Sequence, residues 1–303
     1  MSIDIKNIFM LLGISISLLL YTGCKDNSLP TILVLGQSNI TGWGDVDLIP
    51  EEDKDKFNVS KESIFYMGYG RGKFSEYEHV HRARGDKYLN SFGIESRSTF
   101  SPVFSLYPLM SELYNNHQAL IFHYAIASLS SYSSWHPEWN EERMMAFPNH
   151  ANNDTKHDQY KKCMNHLTLA RRVAKEQGFT GLDIKAVIWF GGEIDALNRT
   201  ASDAYYDSMR DIINAIRNDV GIPDLPFILQ QVNCITLPYN DLVRAHQVRL
   251  ANEIPNVHLI PTNNDRSPSD YSKYNDQLHY DTQGVLNLGK EAGYKTIDCI
   301  LGR

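Results

Sequence analysis

Short apolar runs alternate with longer amphipathic stretches along the chain from Leu29 onward. This alternation is typical of strands that are connected through helices into a parallel sheet. The pattern predicts five strands, at residues 31–35, 119–125, 184–190, 227–232 and 257–260. It predicts helices at residues 103–115, 158–177, 202–218, 241–253 and 282–300. Together these elements predict one α/β domain with three layers.

Two stretches interrupt the alternation, at residues 45–99 and 128–157. Long loops in a compact domain are usually functional. Because open α/β folds bind their ligands at the carboxyl ends of the strands, we expect both stretches to lie over that edge of the sheet. For any single residue in them, an ordinary surface position is the simpler interpretation. Together with the preceding Trp43, their aromatic and polar residues include Tyr66, Tyr69, Arg71, His79, Arg82, Trp135, His136 and Trp139.

The amino terminus has the pattern of an export signal. A leader that contains Lys6 precedes a run of apolar and small residues at positions 8–20. A transmembrane helix needs about 20 apolar residues, so this run is too short to span a bilayer. We therefore expect residues 1–23 to be a signal peptide, with an uncleaved anchor helix as the alternative.

The signal ends in LYTGC, which resembles the lipobox of bacterial lipoproteins, although Tyr21 and Thr22 depart from it. The resemblance implies that Cys24 is lipidated and becomes the first residue of the mature protein. Residues 24–30 are then a short tether, and the letters KDN at 25–27 are similar to a surface-export signal of some Bacteroidetes-type lipoproteins. This implies a protein of the bacterial cell envelope. Only its lipid anchor would contact the outer membrane, at the periplasmic face or at the cell surface.

Composition and charge narrow the range of partners. Of the 303 residues, 42% are hydrophobic and 21% are charged, which is ordinary for a globular protein. The formal net charge is −7, whereas nucleic-acid-binding proteins usually present a basic face. We therefore expect no nucleic-acid partner and a neutral or weakly charged substrate. Apart from Cys24, the cysteines lack metal-ligand spacing and are predicted to be separate buried thiols, at Cys163, Cys234 and Cys299.

The first candidate for chemistry lies at the end of the first predicted strand, which runs directly into GQSN at residues 36–39. Gly36 lets the chain turn sharply there. Ser38 is then placed at the carboxyl edge of the sheet, where free backbone N–H groups can face a developing negative charge. Alternatively, Ser38 or Asn39 caps an ordinary turn. On local sequence alone the two interpretations are equally good.

The second candidate is DQLH at residues 276–279, just before the last predicted helix. A nucleophilic serine needs an imidazole to take its proton, and the imidazole needs a carboxylate to fix its tautomer. The spacing alone is weak evidence, because the chain has 11 histidines and a second such pair, Asp154 and His157. Position favours residues 276–279, which follow the fifth strand and so share a sheet edge with Ser38. His157 instead opens a helix predicted at the surface.

The third candidate follows the strand predicted at residues 184–190, which ends in GGEIDA at residues 191–196. Two consecutive glycines, Gly191 and Gly192, let a main chain approach a ligand closely. A plain strand-to-helix turn is the alternative interpretation.

The ordered set of motifs resembles the sialate O-acetylesterase-like carbohydrate esterases of the SGNH hydrolase superfamily. The similarity runs through most of residues 31–303. Its main carriers are GQSN at 36–39, WFGGEIDA at 189–196 and DQLH at 276–279, and it includes SPV at 101–103, VRAHQ at 243–247 and LG at 288–289. The resemblance implies a three-layer, flavodoxin-like α/β fold, the SGNH hydrolase fold, in a single esterase domain at residues 31–303.

The resemblance also implies an activity and a mechanism. Members remove O-acetyl groups from carbohydrates through an acyl-serine intermediate, without a metal or another cofactor. The family's nucleophile corresponds to Ser38, its base to His279 and its acid to Asp276. The implied partner is an acetylated carbohydrate, of the sialate type or from plant or host glycans.

The chain departs from the family pattern at two places near the expected oxyanion site. The family commonly has QGESD where this chain has GGEID, so at Gly191 the amide that would donate to the oxyanion is missing. A pair of glycines usually follows the second strand, where this chain has Ala127 and Ser128. The N–H of Ser128 could still donate, provided that a non-glycine residue can hold the required conformation. The oxyanion and substrate contacts are predicted at Gln37, Ser128, Gly191, Gly192 and Glu193.

Three hypotheses follow, and an exported carbohydrate O-acetylesterase leads them. The second is the same chemistry on a lipid or another acyl ester. The aromatic, polar loops favour a sugar over an alkyl chain, which needs a continuous apolar groove. The third is a glycan-binding protein of the same fold without turnover. The altered oxyanion positions favour this third hypothesis, and the retention of all three triad residues opposes it.

Overall fold

The structure is a computed structural model that describes residues 27–81, 91–96, 98–115, 117–151, 153–262 and 271–303. The predicted signal peptide, Cys24 and Arg82 lie outside the described residues, so export and lipidation stay predictions. The first strand begins at Leu29, inside the predicted tether. Among the helices of the described residues, none is both long enough and apolar enough to cross a bilayer.

Six parallel strands form the central sheet, in the order β3-β6-β1-β7-β8-β9. A small antiparallel sheet has the order β2-β5-β4. In chain order the strands are β1 (Leu29–Gly36), β2 (Gly44–Asp45), β3 (Ile64–Gly68), β4 (Val80–His81), β5 (Ser98–Phe100), β6 (Ala119–Ala125), β7 (Leu182–Phe190), β8 (Phe227–Gln230) and β9 (Val257–Ile260).

Helices cover both faces of the central sheet. In chain order they are α1 (Glu51–Ser60), α2 (Val103–Leu113), α3 (Glu141–Met144), α4 (Pro148–Ala151), α5 (Gln159–Glu176), α6 (Arg199–Asp203), α7 (Tyr205–Val220), α8 (Asn240–Glu253) and α9 (Thr282–Leu301). Alternate residues of a strand point to opposite faces. Accordingly, Leu33 packs in the core with α5, α7 and α8, and Ile32 packs in the core with α1, α2 and α9. These are the predicted three layers.

The predicted fold class is confirmed, but the predicted number of strands is wrong. The sixth strand, β3, lies within residues 45–99, which were predicted to be an excursion, and so does helix α1. β3 is short and lies at the edge of the central sheet, where β6 is its one neighbouring strand, and two of its five residues are only half-buried. The strand was missed because its apolar run, at residues 64–67, is short and lies within a long stretch rich in charged and polar residues.

The second predicted excursion does start at the carboxyl end of a strand, β6, but two of its aromatic residues serve the core. Trp135 and His136 are buried, and the Trp135 ring packs edge-on against Trp189 with 5.0 Å between ring centroids. The predicted thiols are unpaired, as expected. Cys163 and Cys234 are buried, whereas Cys299 is only half-buried.

Candidate active site

The ends of three adjacent strands meet at one edge of the sheet. Gly36, the last residue of β1, pairs in register with Ala125 of β6 and with Phe190 of β7. Hydrogen bonds extend both pairings, because the Ile126 N–H donates to the Gly36 carbonyl (3.4 Å) and the Gln37 N–H donates to the Phe190 carbonyl (3.0 Å). The segments after these strands carry Ser128, Ser38 and Glu193, so the parallel sheet itself brings the predicted residues to one level.

Gly36 is required at the end of β1. Its φ is +144°, a conformation that side chains rarely adopt, and a Cβ there would lie 1.9 Å from the Phe190 carbonyl oxygen. The chain then turns into a short 3₁₀ helix at Ser38–Ile40, and Ser38 lies at its start with 8% of its surface exposed.

Asn39 connects this turn to the loop that carries His279. Its Nδ2 donates to the Leu278 carbonyl (3.4 Å), and its Oδ1 accepts from the Tyr280 N–H (3.4 Å). One side chain next to Ser38 therefore contacts the backbone on both sides of His279. Among the hydrogen bonds of the described residues, none joins Ser38 Oγ to the His279 ring directly.

His279 and Asp276 form a tight pair, with 2.6 Å between Nδ1 and Oδ2. The other carboxylate oxygen, Oδ1, accepts from the N–H groups of Leu278 and His279, each at 3.0 Å. Burial alone would raise the pKa of Asp276, but the hydrogen bonds from the His279 ring and from these two N–H groups outweigh burial and lower it. The carboxylate is thus ionised and oriented. The Trp43 ring stacks on His279 with 3.7 Å between centroids and fixes the plane of the imidazole.

The competing pair is much looser. His157 Nδ1 lies 3.7 Å from an oxygen of Asp154, whose side chain is fully exposed. An exposed pair at this distance contributes little to the orientation of the imidazole. The carboxylate is thus half-buried and closely bonded to the imidazole at His279, but exposed and distant from it at His157.

Glu193 is buried, at 2% exposure, and supports the turn that carries Ser38. Its carboxylate accepts hydrogen bonds from the side-chain amides of Gln37 and Asn39, the second at 2.7 Å. Both residues that flank Ser38 are therefore held by one carboxylate. The positions predicted at Gln37 and Glu193 belong to the same site, where each contacts the other.

Position 192 requires glycine because a side chain there would clash with the protein's own core. The φ of Gly192 is +125°, and a Cβ there would lie 2.8 Å from Val232 Cγ2. The close approach that the paired glycines predicted is, at Gly192, an approach to the protein's own core. Gly191 differs, since its φ is outside the left-handed region and its carbonyl accepts from the Tyr205 hydroxyl (3.1 Å).

Ser128 adopts a backbone conformation that is usual for glycine, which the sequence alone could not establish. Its φ is +61°, in the left-handed region, where glycine is the usual residue. The loop that follows is fixed by Asp195, which is fully buried. Its carboxylate accepts from Ser130 Oγ (2.7 Å), from Ser131 Oγ (2.9 Å) and N–H (3.1 Å), and from the Tyr132 N–H (3.1 Å). Burial raises the pKa of Asp195 to about 6, although these hydrogen bonds lower it.

Replacing Asp195 by alanine should destabilise the protein by about 3–5 kcal/mol, because it leaves several buried donors without an acceptor. We expect a lower midpoint of urea unfolding at pH 7 and a loss of ester hydrolysis in the folded fraction. Asp203→Ala, which removes an exposed carboxylate paired with Arg199, is the control and should change the unfolding free energy by less than about 1 kcal/mol. Equal midpoints for the two variants would contradict the anchoring role.

A cavity of about 480 Å³ opens beside the Ser38 turn. In it, the Tyr66 hydroxyl lies 2.8 Å from His123 Nδ1, and Arg71 forms an ion pair with Glu78 at 2.5 Å. Burial lowers the pKa of His123 to about 4, so its ring is neutral at physiological pH. The lining residues are Thr41, Tyr66, Gly68, Tyr69, Arg71, Glu78, His79, His123 and Ala125.

Sequence reasoning missed two supporting residues, although both lay inside the motifs it used. Asn39 belongs to GQSN and was considered only as a turn cap, and Asp195 belongs to GGEIDA and was given no role. Both are polar residues just after a strand, which could have marked them as candidates. Their hydrogen-bond partners, however, are distant in the sequence. Within the described part of the chain, no group of three or more His, Cys, Asp or Glu residues is arranged to hold a metal ion.

A serine at the end of the central strand and a carboxylate-bound imidazole at the same edge are the parts that serine esterases use. The chain belongs to the carbohydrate esterases of the sialic acid-specific acetylesterase family, whose family model matches residues 29–298. The resemblance noted from the motifs is thereby confirmed.

Individual relatives agree with this assignment. Over 109 residues the chain is 32% identical to an Arabidopsis thaliana protein named "Probable carbohydrate esterase". The aligned stretch covers 36% of this chain and 38% of that protein, so the chain matches well under half of the length of this curated relative.

Three crystal structures share the fold. A protein from Arabidopsis thaliana has a TM-score of 0.59 at 17% identity, covering 88% of this chain and 98% of its own. NanS has a TM-score of 0.57 at 13% identity, covering 91% and 98%. A carbohydrate acetylesterase from Xanthomonas citri has a TM-score of 0.56 at 14% identity, covering 90% and 57%. At these identities the likeness shows the fold alone.

Proposed function

We propose that the protein is a serine esterase that removes O-acetyl groups from a carbohydrate through an acyl-serine intermediate. The observation that carries the proposal is the position of Asn39, which contacts the backbone on both sides of His279 while it adjoins Ser38. A nucleophile and its base must lie within reach of each other. This contact holds the two loops together, and Glu193, from the segment after β7, anchors the same Asn39 side chain.

The proposed mechanism begins with proton transfer. Asp276 accepts a hydrogen bond from the Nδ1–H of His279 and keeps the proton there, which leaves Nε2 free to take the Ser38 hydroxyl proton. Ser38 Oγ then attacks the acetyl carbonyl carbon. The protonated His279 returns its proton to the leaving sugar oxygen, and an acetyl-serine remains. Water, deprotonated by His279, then attacks this ester. The bond between the acetyl carbon and Ser38 Oγ breaks, His279 returns the proton to Oγ, and acetate leaves.

The negative charge that develops on the carbonyl oxygen needs hydrogen-bond donors. We assign one of them to the Ser128 N–H, which the register of β1 and β6 brings to the level of Ser38. The left-handed conformation of Ser128 supports this assignment. A serine at this position can donate its N–H only if it adopts the backbone conformation expected of the glycine that it replaces.

The cavity that Thr41 lines, at the end of the short helix that begins with Ser38, supports a carbohydrate as substrate. It presents tyrosine hydroxyls, a neutral imidazole and a paired arginine and glutamate, which suit a ligand rich in hydroxyl groups. Tyr69 is 52% exposed and offers an aromatic face against which a sugar ring can pack. An alkyl chain would require an apolar groove instead.

Gly191→Gln tests whether the family's missing amide leaves a donor position empty. The backbone of Gly191 permits a side chain, and its Cβ would lie 3.1 Å from Trp189 Nε1, so the indole has to move by a few tenths of an ångström. One oxyanion donor is worth about 10²- to 10³-fold in turnover. We expect kcat on an acetyl ester to rise by up to about 10²-fold with KM little changed. A lower kcat in a stably folded variant would show that another group already fills this position.

The proposed activity is tested with a chromogenic acetate ester, with and without a serine-reactive fluorophosphonate. We expect hydrolysis that the fluorophosphonate abolishes, with its adduct on Ser38 by mass spectrometry. A panel of acetylated glycans and longer acyl esters then distinguishes a carbohydrate esterase from an esterase of another class. Glycan binding without turnover would instead support a non-catalytic binding protein. If Cys24 is lipidated as predicted, this activity belongs to the outer membrane.

A further inference from the structure

Lys156 is a half-buried lysine whose ammonium group donates to the carbonyl of Ala127, the residue before Ser128. Burial lowers its pKa, and among the described residues no carboxylate forms an ion pair with it. Partial removal of a cation from water without a carboxylate in return costs free energy. Contact with one particular carbonyl, next to the proposed oxyanion donor, is therefore the feature to be explained.

The turn that carries Lys156 is fixed to the central sheet through Gln159. The amide nitrogen of Gln159 donates to the carbonyls of Thr155 (2.8 Å) and His157 (2.9 Å), one on each side of Lys156. Its amide oxygen accepts from the Tyr124 hydroxyl of β6 at 3.0 Å. The lysine thus starts from a backbone that is held against the same strand that leads to Ala127.

The geometry of a peptide unit links the lysine to the oxyanion donor. In a planar trans peptide, the C=O of Ala127 and the N–H of Ser128 point in opposite directions. Lys156 holds the carbonyl on its own side, which turns the N–H to the other side. Among the described residues, this N–H has no hydrogen-bond acceptor. A cation at the carbonyl also polarises the amide and makes the N–H a stronger donor.

We propose that Lys156 is a positioning residue for the oxyanion hole, which aims and polarises the Ala127–Ser128 peptide so that the Ser128 N–H donates to the developing oxyanion. The inference rests on the proposed esterase function. It also explains how serine replaces glycine here, because Lys156 holds Ala127 before it and Asp195 holds Ser130 and Ser131 after it, which keeps Ser128 in a left-handed conformation that non-glycine residues rarely adopt.

The test compares Lys156→Met with Lys162→Met. Methionine keeps the length of the aliphatic side chain and removes the charge. Lys162 is the matched control, because its Nζ also donates to a single backbone carbonyl, that of Asp154, at 2.6 Å. We expect Lys156→Met to lower kcat by about 10-fold with KM nearly unchanged, since the donor is weakened and not removed. Lys162→Met should stay within about twofold of the native enzyme, and Lys156→Arg should recover most of kcat.

A tetrahedral inhibitor separates positioning from a merely structural role. A trifluoromethyl ketone that adds to Ser38 places its oxyanion in the same hole, so its Ki should rise in Lys156→Met by the same factor as kcat falls. If the native enzyme depends on Ser38 for turnover and Lys156→Met leaves kcat and Ki unchanged, the role of Lys156 alone is overturned. If the native protein shows no Ser38-dependent turnover, the esterase function itself is overturned. If Lys156→Met does not fold, Lys156→Gln removes the same charge and is judged by the same two constants.

Discussion

Ser38→Ala is expected to abolish ester hydrolysis, with a fall in kcat of roughly 10⁴- to 10⁶-fold, because no other group can form the acyl intermediate. The fold should remain intact. The Ser38 side chain is small, and no hydrogen bond of the described residues depends on its hydroxyl. Its removal should change the free energy of unfolding by less than about 1 kcal/mol. The measurement is kcat on a chromogenic acetate ester, with the thermal midpoint of the same preparation.

Ser208→Ala is the matched control. Ser208 is also a buried serine, on α7, and belongs to none of the contacts of the site. Its variant should keep kcat within about twofold. Turnover that persists in purified, folded Ser38→Ala at more than about a hundredth of the native rate would remove the acyl-serine mechanism.

His279→Ala should cost about as much as Ser38→Ala, because the members of a catalytic triad act as a unit. Asp276→Asn should cost less, on the order of 10⁴-fold, through the wrong imidazole tautomer. Burial would raise the pKa of Asp276, but hydrogen bonds lower it below its usual range, so its carboxylate stays ionised and should not limit activity at mildly acidic pH. The measurement is kcat for each variant between pH 5 and 9.

His157→Ala is the control for this pair, because it removes the imidazole of the other Asp-x-x-His segment. Its pairing with Asp154 is exposed and 3.7 Å long, so kcat should be unaffected within about threefold. If His157→Ala is inactive and His279→Ala is active, the assignment of the base at residues 276–279 is wrong.

The central strands and the amphipathic helices could be predicted from the sequence because their patterns are local. β6 and β9 were predicted with the bounds that the structure gives, and α9 to within one residue. Each is a buried apolar run or an amphipathic repeat, and such patterns can be recognised within a short window of sequence. The edge strand β3 was not predicted, because two of its five positions are only half-buried and its short apolar run lies within a stretch rich in polar residues, so that its pairing with β6 is what identifies it.

The sequence by itself determined the α/β class, the family and the three polar segments that follow strands. Parallel strands all end at one edge, so the strand pattern predicted that Ser38 and the segment at 276–279 share that edge. Only the tertiary structure decided which polar side chains hold these segments in place. The contacts of Asn39 with both neighbours of His279, of Asp195 with the Ser130 loop and of Lys156 with Ala127 join residues far apart in the chain. Such contacts depend on how whole helices, strands and loops pack together, so they cannot be predicted from the local sequence pattern of one chain.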